Sequence, residues 1–361
     1  MAVHFHPLKI KNIIKETADC VSVCFEIPET LSSLFSFKEG QNITIKTNID
    51  GLEIRRSYSL CTAPHEKEIK VAIKKVEGGL FSRLANENLK KGDVLDVLPP
   101  LGKFNARLSE ISTASYLAIA AGSGITPVIS IIKHTLQTQH GSRFTLIYGN
   151  KSRGSIIFFE ELEGLKNKYM QRFNFINILS QEKTDSAINY GRIDKDKLAA
   201  MQHLLSFKSF DSIYLCGPEQ MIFSASEFFD SLGIDKHKIH FELFTTPGQS
   251  NIKKEFIAAA TINPDDGLSS RITVKLDGRS FNFDLGQNSQ SILDAALQQG
   301  ADLPYACKGG VCCTCRAKLV SGQVVMDANY ALEAEEVEQG FILTCQSHPR
   351  SEEVIIDFDI K

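Results

Sequence analysis

Three cysteines within nine residues, Cys307, Cys312 and Cys315 in the segment YACKGGVCCTC, are followed after 29 intervening residues by Cys345 in ILTCQSHP. A C-x4-C-x2-C run with one distant cysteine is the spacing of plant-type two-iron, two-sulfide clusters. Such a cluster takes four soft, deprotonated thiolates, and three of them so close together force the loop between them to wrap round the metal. Gly309 and Gly310 in that loop let the backbone approach closely, so that N–H groups can point at sulfur and favour the reduced, more negative cluster. Structural zinc is the alternative, but it usually draws on two close pairs of ligands, and Cys345 has no second cysteine near it in the sequence. Cys313 lies inside the motif without fitting the ligand spacing and reads as a packed or exposed neighbour. Nine cysteines in all is an odd number for a disulfide framework, and with four of them grouped this way the chain reads as a cytosolic, metal-binding one.

The flanks of the motif suit a small α+β domain. RITVKLDGRSFNFDL alternates as two strands joined at Asp277-Gly278, and SILDAALQQG reads as a helix with a glycine stop, the layout of a β-grasp fold. From residue 271 onward there are 13 acidic and 8 basic side chains, against a net charge of -3 for the whole chain. An acidic module can steer a basic partner, and plain solubility accounts for the same charge. The balanced total gives no polyanion-binding excess, which argues against nucleic acid. No run approaches the roughly 18 apolar residues of a membrane helix, and MAVHFHPLKIKN lacks the layout of a secretory signal, so the expected location is the cytoplasm.

A module of this kind needs only a quarter of the 361 residues, and the rest should explain where its electrons come from. In RRSYSL, Arg56, Ser57, Tyr58 and Ser59 lie along an expected strand, with Arg56 and Tyr58 on one face. A guanidinium, a flat phenol and a hydroxyl in that order suit a phosphate, the edge of a planar ring and a ring nitrogen. EGGLFSRLANENL follows, with Gly78 and Gly79 before a helix start and Ser82 in its first turn, and free N–H groups there can bind phosphate. Each motif alone is also compatible with surface decoration or a simple turn.

SYLAIAAGSGITPVISIIKHTL reads as a buried strand over 116–121, a Gly122-Ser123-Gly124 turn and a helix starting at Thr126-Pro127, which together make a nucleotide-binding crossover. Pro127 stands where the G-x-G-x-x-G fingerprint would place its third glycine. Strands and helices then alternate through FTLIYGN, FEELEGLKNKY, FNFINILS, SIYLCGP and EQMIFSASEFFDSL, as in a parallel α/β sheet.

The order RSYS, GG-x-x-S, AAGSGITP, YGN, CGP and the terminal cysteine cluster resembles the ferredoxin-NADP reductase superfamily over nearly the whole chain, and within it the oxygenase reductases with a C-terminal ferredoxin domain. The resemblance implies an antiparallel β-barrel flavin domain over 1–108, an α/β parallel-sheet nucleotide domain over 109–244, a Pro/Gly/Ser/Asp-rich linker over 245–269 and a β-grasp ferredoxin domain over 270–361. It implies that Arg56 meets the flavin phosphate, Tyr58 its ring or ribityl chain and Ser59 its redox-active N5 region, and that Gly79 and Ser82 complete the phosphate site. Gly122, Gly124, Thr126 and Pro127 should receive the phosphates of a nicotinamide cofactor, and Cys216, Gly217 and Pro218 should reach its nicotinamide. By residue type alone, Cys216 is as well read as a small buried hydrophobe.

The phosphate residues suit FAD or FMN, and the resemblance implies FAD. The loop after the YGN strand reads Lys151-Ser152-Arg153 with no carboxylate until Glu160, and Arg192 lies in YGRID; cations of this kind favour the 2′-phosphate of NADPH over NADH. Hydride donors release two electrons and iron–sulfur clusters take one, so a flavin standing between them completes a relay from NADPH to an oxygenase protein. The alternatives are a different oxygenase, monooxygenase or desaturase as client, and a non-catalytic redox sensor.

Overall fold

The computed structural model describes residues 4–104, 113–244 and 268–360, which fall into two compact units. The first carries the barrel and the α/β domain. Its strands β1 (His6–Thr17), β2 (Cys20–Glu26), β3 (Asn42–Ile49), β4 (Leu52–Ser59) and β5 (Ile69–Lys74) are followed by helix α1 (Leu80–Glu87) and strand β6 (Val94–Val97). They order as β4-β3-β6-β1-β2-β5, and a bridge between Leu60 and Val71 joins the two ends of that sheet. Alternating burial in β1 and continuous burial in β2 reflect a strand half open to water beside one covered on both faces.

The α/β domain begins with β7 (Ser115–Ala121) and continues through α2 (Ile125–Thr138), β8 (Arg143–Asn150), α3 (Phe159–Lys168), β9 (Phe173–Leu179), α4 (Lys195–Met201), β10 (Ser212–Gly217), α5 (Glu219–Ser231) and β11 (Ile239–Leu243). The sheet is parallel throughout, in the order β11-β10-β7-β8-β9. Near-continuous apolar runs such as YLAIA in β7 suit strands covered on both faces by helices. The helix expected from Thr126-Pro127 begins one residue earlier, preceded by a single 3-10 turn over Gly122–Gly124. Two elements escaped the sequence reading: α4, which is short, and β11, a half-exposed edge strand with a weak apolar pattern.

The barrel has a core of its own, and part of its wall also joins the core of the α/β domain. Cys20, Cys61 and Ala72 of the barrel belong to the same buried cluster as Ile125, Ile129 and Ile132 of α2 and Phe158 beside α3. Small side chains on the barrel wall let the helices approach closely at this part of the seam.

The second unit holds β12 (Ser269–Leu276), β13 (Arg279–Gly286), α6 (Ile292–Gln298), β14 (Arg316–Ser321), β15 (Val324–Met326), α7 (Ala334–Glu338), β16 (Phe341–Leu343), β17 (Ser347–Pro349) and β18 (Glu353–Asp357). The main sheet runs β13-β12-β18-β14-β16 over a separate core, with β15 and β17 forming a small second pair. The hairpin turns at Asp277-Gly278, both with positive φ, as the sequence signal requires. Ser291 caps α6 by accepting the Asp294 N–H, and α6 ends just ahead of Gly300. The expected barrel boundary near residue 108 and nearly all of the expected linker lie outside the described residues.

The shared seam yields a prediction. Ala72 is 5% exposed between the barrel and the α/β domain, and Ala72→Leu should overpack it, lowering stability by about 1–3 kcal/mol. Thermal denaturation checks this, with barrel and α/β domain expected to unfold together in one transition.

Candidate functional site

The glycine turn ends against the tip of β10. A Cβ built on Gly124 would lie 2.1 Å from the Cys216 carbonyl oxygen, so only glycine lets α2 begin this close to the strand that carries Cys216. Thr126 Oγ1 donates to the Ser123 carbonyl inside the turn, and the Tyr148 hydroxyl, fully buried on β8, donates to the Gly122 carbonyl at 2.8 Å. The tyrosine of the YGN motif therefore fastens the turn from beneath, a role the sequence reading did not assign. On the barrel side, Lys74 Nζ stands 3.8 Å from where a Gly122 Cβ would lie, so a cation from β5 borders the turn.

Cys216 is fully buried, and burial, reinforced by Glu242, pushes its thiol well above the ordinary range and keeps it protonated. In-register pairing of β10 with β11 sets Cys216 beside Glu242. Ser59, 3% exposed at the end of β4, donates from Oγ to Glu242 Oε2 at 3.2 Å. Serine, thiol and carboxyl thus converge from three strands and two domains. Glu242 went unnoticed in the sequence because its strand did. Burial raises the Glu242 carboxyl to about 8, opposed only in part by the Ser59 hydrogen bond, so a proton-holding group sits next to Ser59 at neutral pH.

Along β4, Arg56 is half-buried while its neighbour Arg55 is the buried arginine of the pair. The Tyr58 ring packs on Phe81 of α1 at 5.7 Å between centroids. Ser82 uses its hydroxyl to close the preceding turn, donating to the Gly79 carbonyl and accepting the Val76 N–H. A phosphate there would meet backbone N–H groups of the α1 start rather than a free Ser82 hydroxyl.

At the loop after β8, the Arg153 guanidinium lies over the Phe159 ring, 5.0 Å from its centroid. The loop itself carries no carboxylate before Glu160, but one reaches it from another segment: Glu182, beyond β9, accepts the Arg153 backbone N–H at 2.8 Å. The parallel pairing of β8 with β9 brings it there, as does the Gln181 N–H bond to the Lys151 carbonyl. Lys151, Arg153 and Arg192 are exposed, and Ser152 is half-buried.

In the second unit, sheet register joins the distant cysteine to the other three. Arg316 on β14 pairs with Leu343 on β16, which sets Cys315 opposite Thr344 and next to Cys345. The Thr344 N–H and hydroxyl both donate to the Cys315 carbonyl. The Cys307 and Cys312 sulfurs are 3.1 Å apart, with all nine cysteines of the chain free. The Gly309 N–H donates to Cys307 Sγ, and the Gln346 amide lies 3.8 Å from Cys345 Sγ. Gly310, at φ +74°, leaves no room for a side chain, because a Cβ would meet the Ala328 carbonyl at 2.9 Å. Cys313 donates to the Ala331 carbonyl, apart from the four. The four thiols meet one another in series, Cys312 with Cys307, Cys307 with Cys345 and Cys345 with Cys315. Four free thiols with N–H groups directed at sulfur fit a two-iron cluster.

A barrel, a parallel-sheet nucleotide domain and a four-thiol β-grasp domain together define a modular flavin and iron–sulfur oxidoreductase. The comparisons agree. Residues 7–106 match the oxidoreductase FAD-binding domain, 118–227 the oxidoreductase NAD-binding domain and 274–350 the 2Fe-2S iron-sulfur cluster binding domain. One subunit of the 1,2-phenylacetyl-CoA epoxidase of Escherichia coli (strain K12) is 44% identical, over 99% of this chain and 98% of the relative. The ferredoxin reductase component of the 3-ketosteroid-9-alpha-monooxygenase of Rhodococcus rhodochrous is 30% identical, over 97% and 96%. Phthalate dioxygenase reductase shares the fold, with a TM-score of 0.59 at 22% identity and 98% of each chain covered. The chain belongs to the ferredoxin-NADP reductase superfamily, in the branch of oxygenase reductases with a C-terminal 2Fe-2S domain, and is an FAD-, pyridine nucleotide- and 2Fe-2S-binding oxidoreductase. Among the described residues no helix is long and apolar enough to cross a membrane.

Glu242 supplies a pH test. Because its pKa in the fold lies above the ordinary 4.5, the protonated form favours folding. That contribution is complete below about 4.5, declines above it and is lost as pH rises through about 8. Glu242→Gln should therefore show a flatter fall in melting temperature than the parent between pH 5 and 9.

Proposed function

We propose that this protein takes electrons from NADPH and delivers them singly to the oxygenase component of a phenylacetyl-CoA epoxidase. The observation that carries the reading is the convergence of Ser59, Cys216 and Glu242 beside the glycine turn, where a nicotinamide and a flavin ring edge would meet. The full-length 44% identity to an epoxidase subunit supports the choice of client. When bound, the flavin converts a two-electron donor into one-electron steps for the cluster.

The chain's own residues would do the rest. Arg56 and the N–H groups at the start of α1 would hold the flavin phosphate, with Gly79 shaping that turn and Tyr58 against the ring or ribityl chain. Ser59 would present its hydroxyl to the N5 region, with Glu242 behind it holding a proton. Gly122, Gly124, Thr126 and Pro127 would bind the nucleotide phosphates, with Lys74 at their edge. Cys216, Gly217 and Pro218 would line the nicotinamide pocket. The buried, protonated Cys216 thiol offers shape and polarisability there rather than a negative charge. Cys307, Cys312, Cys315 and Cys345 would ligate the cluster.

Lys151, Arg153 and Arg192, exposed cations of the kind that favour a 2′-phosphate, support NADPH, with Ser152 among them. Glu182 at the same loop favours a second reading, NADH, because a carboxylate holds ribose hydroxyls and repels phosphate.

Stopped-flow mixing with each nucleotide tests both. With NADPH, flavin bleaching should come first and cluster bleaching second, at a clearly higher rate than with NADH. Arg153→Ala should shrink the preference for NADPH, whereas a parent that reacts faster with NADH establishes the Glu182 reading. Cys312→Ser should abolish electron output to an acceptor protein while leaving flavin reduction by NADPH intact. Loss of both steps together would defeat the relay order.

A further inference from the structure

Helix α2 does two things at once. Its first turn follows directly from Gly122–Gly124, and one face of its later turns grips the barrel. Ser130 Oγ donates to the Thr62 carbonyl at 2.6 Å and accepts the Gly40 N–H. One turn on, Lys133, with its side chain 6% exposed, sets Nζ 2.8 Å from Glu66 Oε2 of the barrel and 2.7 Å from Glu161 Oε1 of α3. Thr62 and Glu66 lie three and seven residues beyond Ser59, on the segment that leaves β4. A single rigid rod therefore connects the glycine turn to the strand that ends in Ser59.

The apolar seam of Cys20, Cys61 and Ala72 holds the two domains together without fixing their rotation, since apolar contact is non-directional. A buried ammonium shared by carboxylates from two other elements is directional, and setting register is the best-attested use of such charges. Burial alone would raise the Glu66 carboxyl, yet the hydrogen bond and charge of Lys133 and the Ala63 N–H hold it below its ordinary value. Glu66 is therefore ionised at neutral pH.

We infer that Lys133 is a positioning residue for hydride transfer: by bridging Glu66 and Glu161 it fixes α2 against the barrel, so that a nucleotide held at the glycine turn reaches a flavin held along β4. This rests on the reading of those two sites given above. Lys133 touches neither cofactor position and acts only through the helix it anchors. Displacements of about 1 Å at reacting atoms are enough to slow a reaction by roughly 10²-fold.

The test uses the full-length holoprotein and follows flavin bleaching by stopped flow over a range of NADPH concentrations. Lys133→Met keeps the length and apolar stem of the side chain and removes its charge. The expected result is a saturating rate lowered at least about tenfold, with the half-saturating concentration nearly unchanged and flavin and iron contents equal to the parent's. Lys133→Arg, which keeps the charge, should recover most of the rate. Parent-like rates in Lys133→Met overturn the inference. So does a joint loss of rate, nucleotide affinity and flavin content that arginine does not rescue, because that marks a merely structural lysine. Should Lys133→Met fail to fold, Glu66→Gln, which removes the charge of the arm that reaches the barrel, is expected to lower the saturating rate in the same selective way, and an unchanged rate in it overturns the inference equally. A parent protein whose flavin is bleached by neither NADPH nor NADH defeats the proposed function instead.

Discussion

Everything around the candidate site depends on one close approach, the start of α2 against the carbonyl end of β10. The missing side chain of Gly124 permits it, and the Cys216 backbone is the surface it meets. Once that contact is made, the other placements follow from sheet geometry. β10 carries β11 beside it in register, which delivers Glu242, while Tyr148 reaches up from β8 to hold the turn. The barrel then needs only to present the end of β4 for Ser59 to reach Glu242. A glycine, a serine, a cysteine and a glutamate separated by up to 183 positions become one site because three of them sit at the ends of strands.

Much of this was legible in the sequence where a residue's task is local. Cysteine spacing, the Asp277-Gly278 hairpin, the SILDAALQQG helix and the glycine turn each depend on a few adjacent residues, and each points to the element found there. What stayed hidden depends on partners far away in the chain. Glu242 sits on a short edge strand whose half-exposed residues give little periodic signal. Glu182 joins the Arg153 loop only because β8 and β9 are neighbours, and spacing along the chain does not contain that fact. Lys133 is a polar residue in a largely apolar helix, and its two carboxylates lie on other elements. Ser82 shows the reverse case: a hydroxyl well placed by sequence for a ligand is taken up by the turn that it helps to close.

The thiol site of the second unit rests on the same kind of geometry by a different route. Three of its cysteines are gathered by a loop and need only Gly310 to let that loop pass the Ala328 carbonyl. The fourth comes through β16, and the two hydrogen bonds of Thr344 to the Cys315 carbonyl tie the strands where the thiols must meet. A cluster held by these four thiols would couple metal binding to sheet formation, since Cys315 and Cys345 come together when β14 and β16 are paired.

The shared core of barrel and α/β domain has a consequence for how such proteins can be recombined. Cys20, Cys61 and Ala72 are barrel residues by position but core residues of the neighbouring domain by packing. A barrel transplanted from a relative would have to bring small side chains at those three places and a carboxylate where Glu66 stands, or the foreign helices would not seat. In a reductase of this design the barrel and the α/β domain would therefore have to be exchanged together.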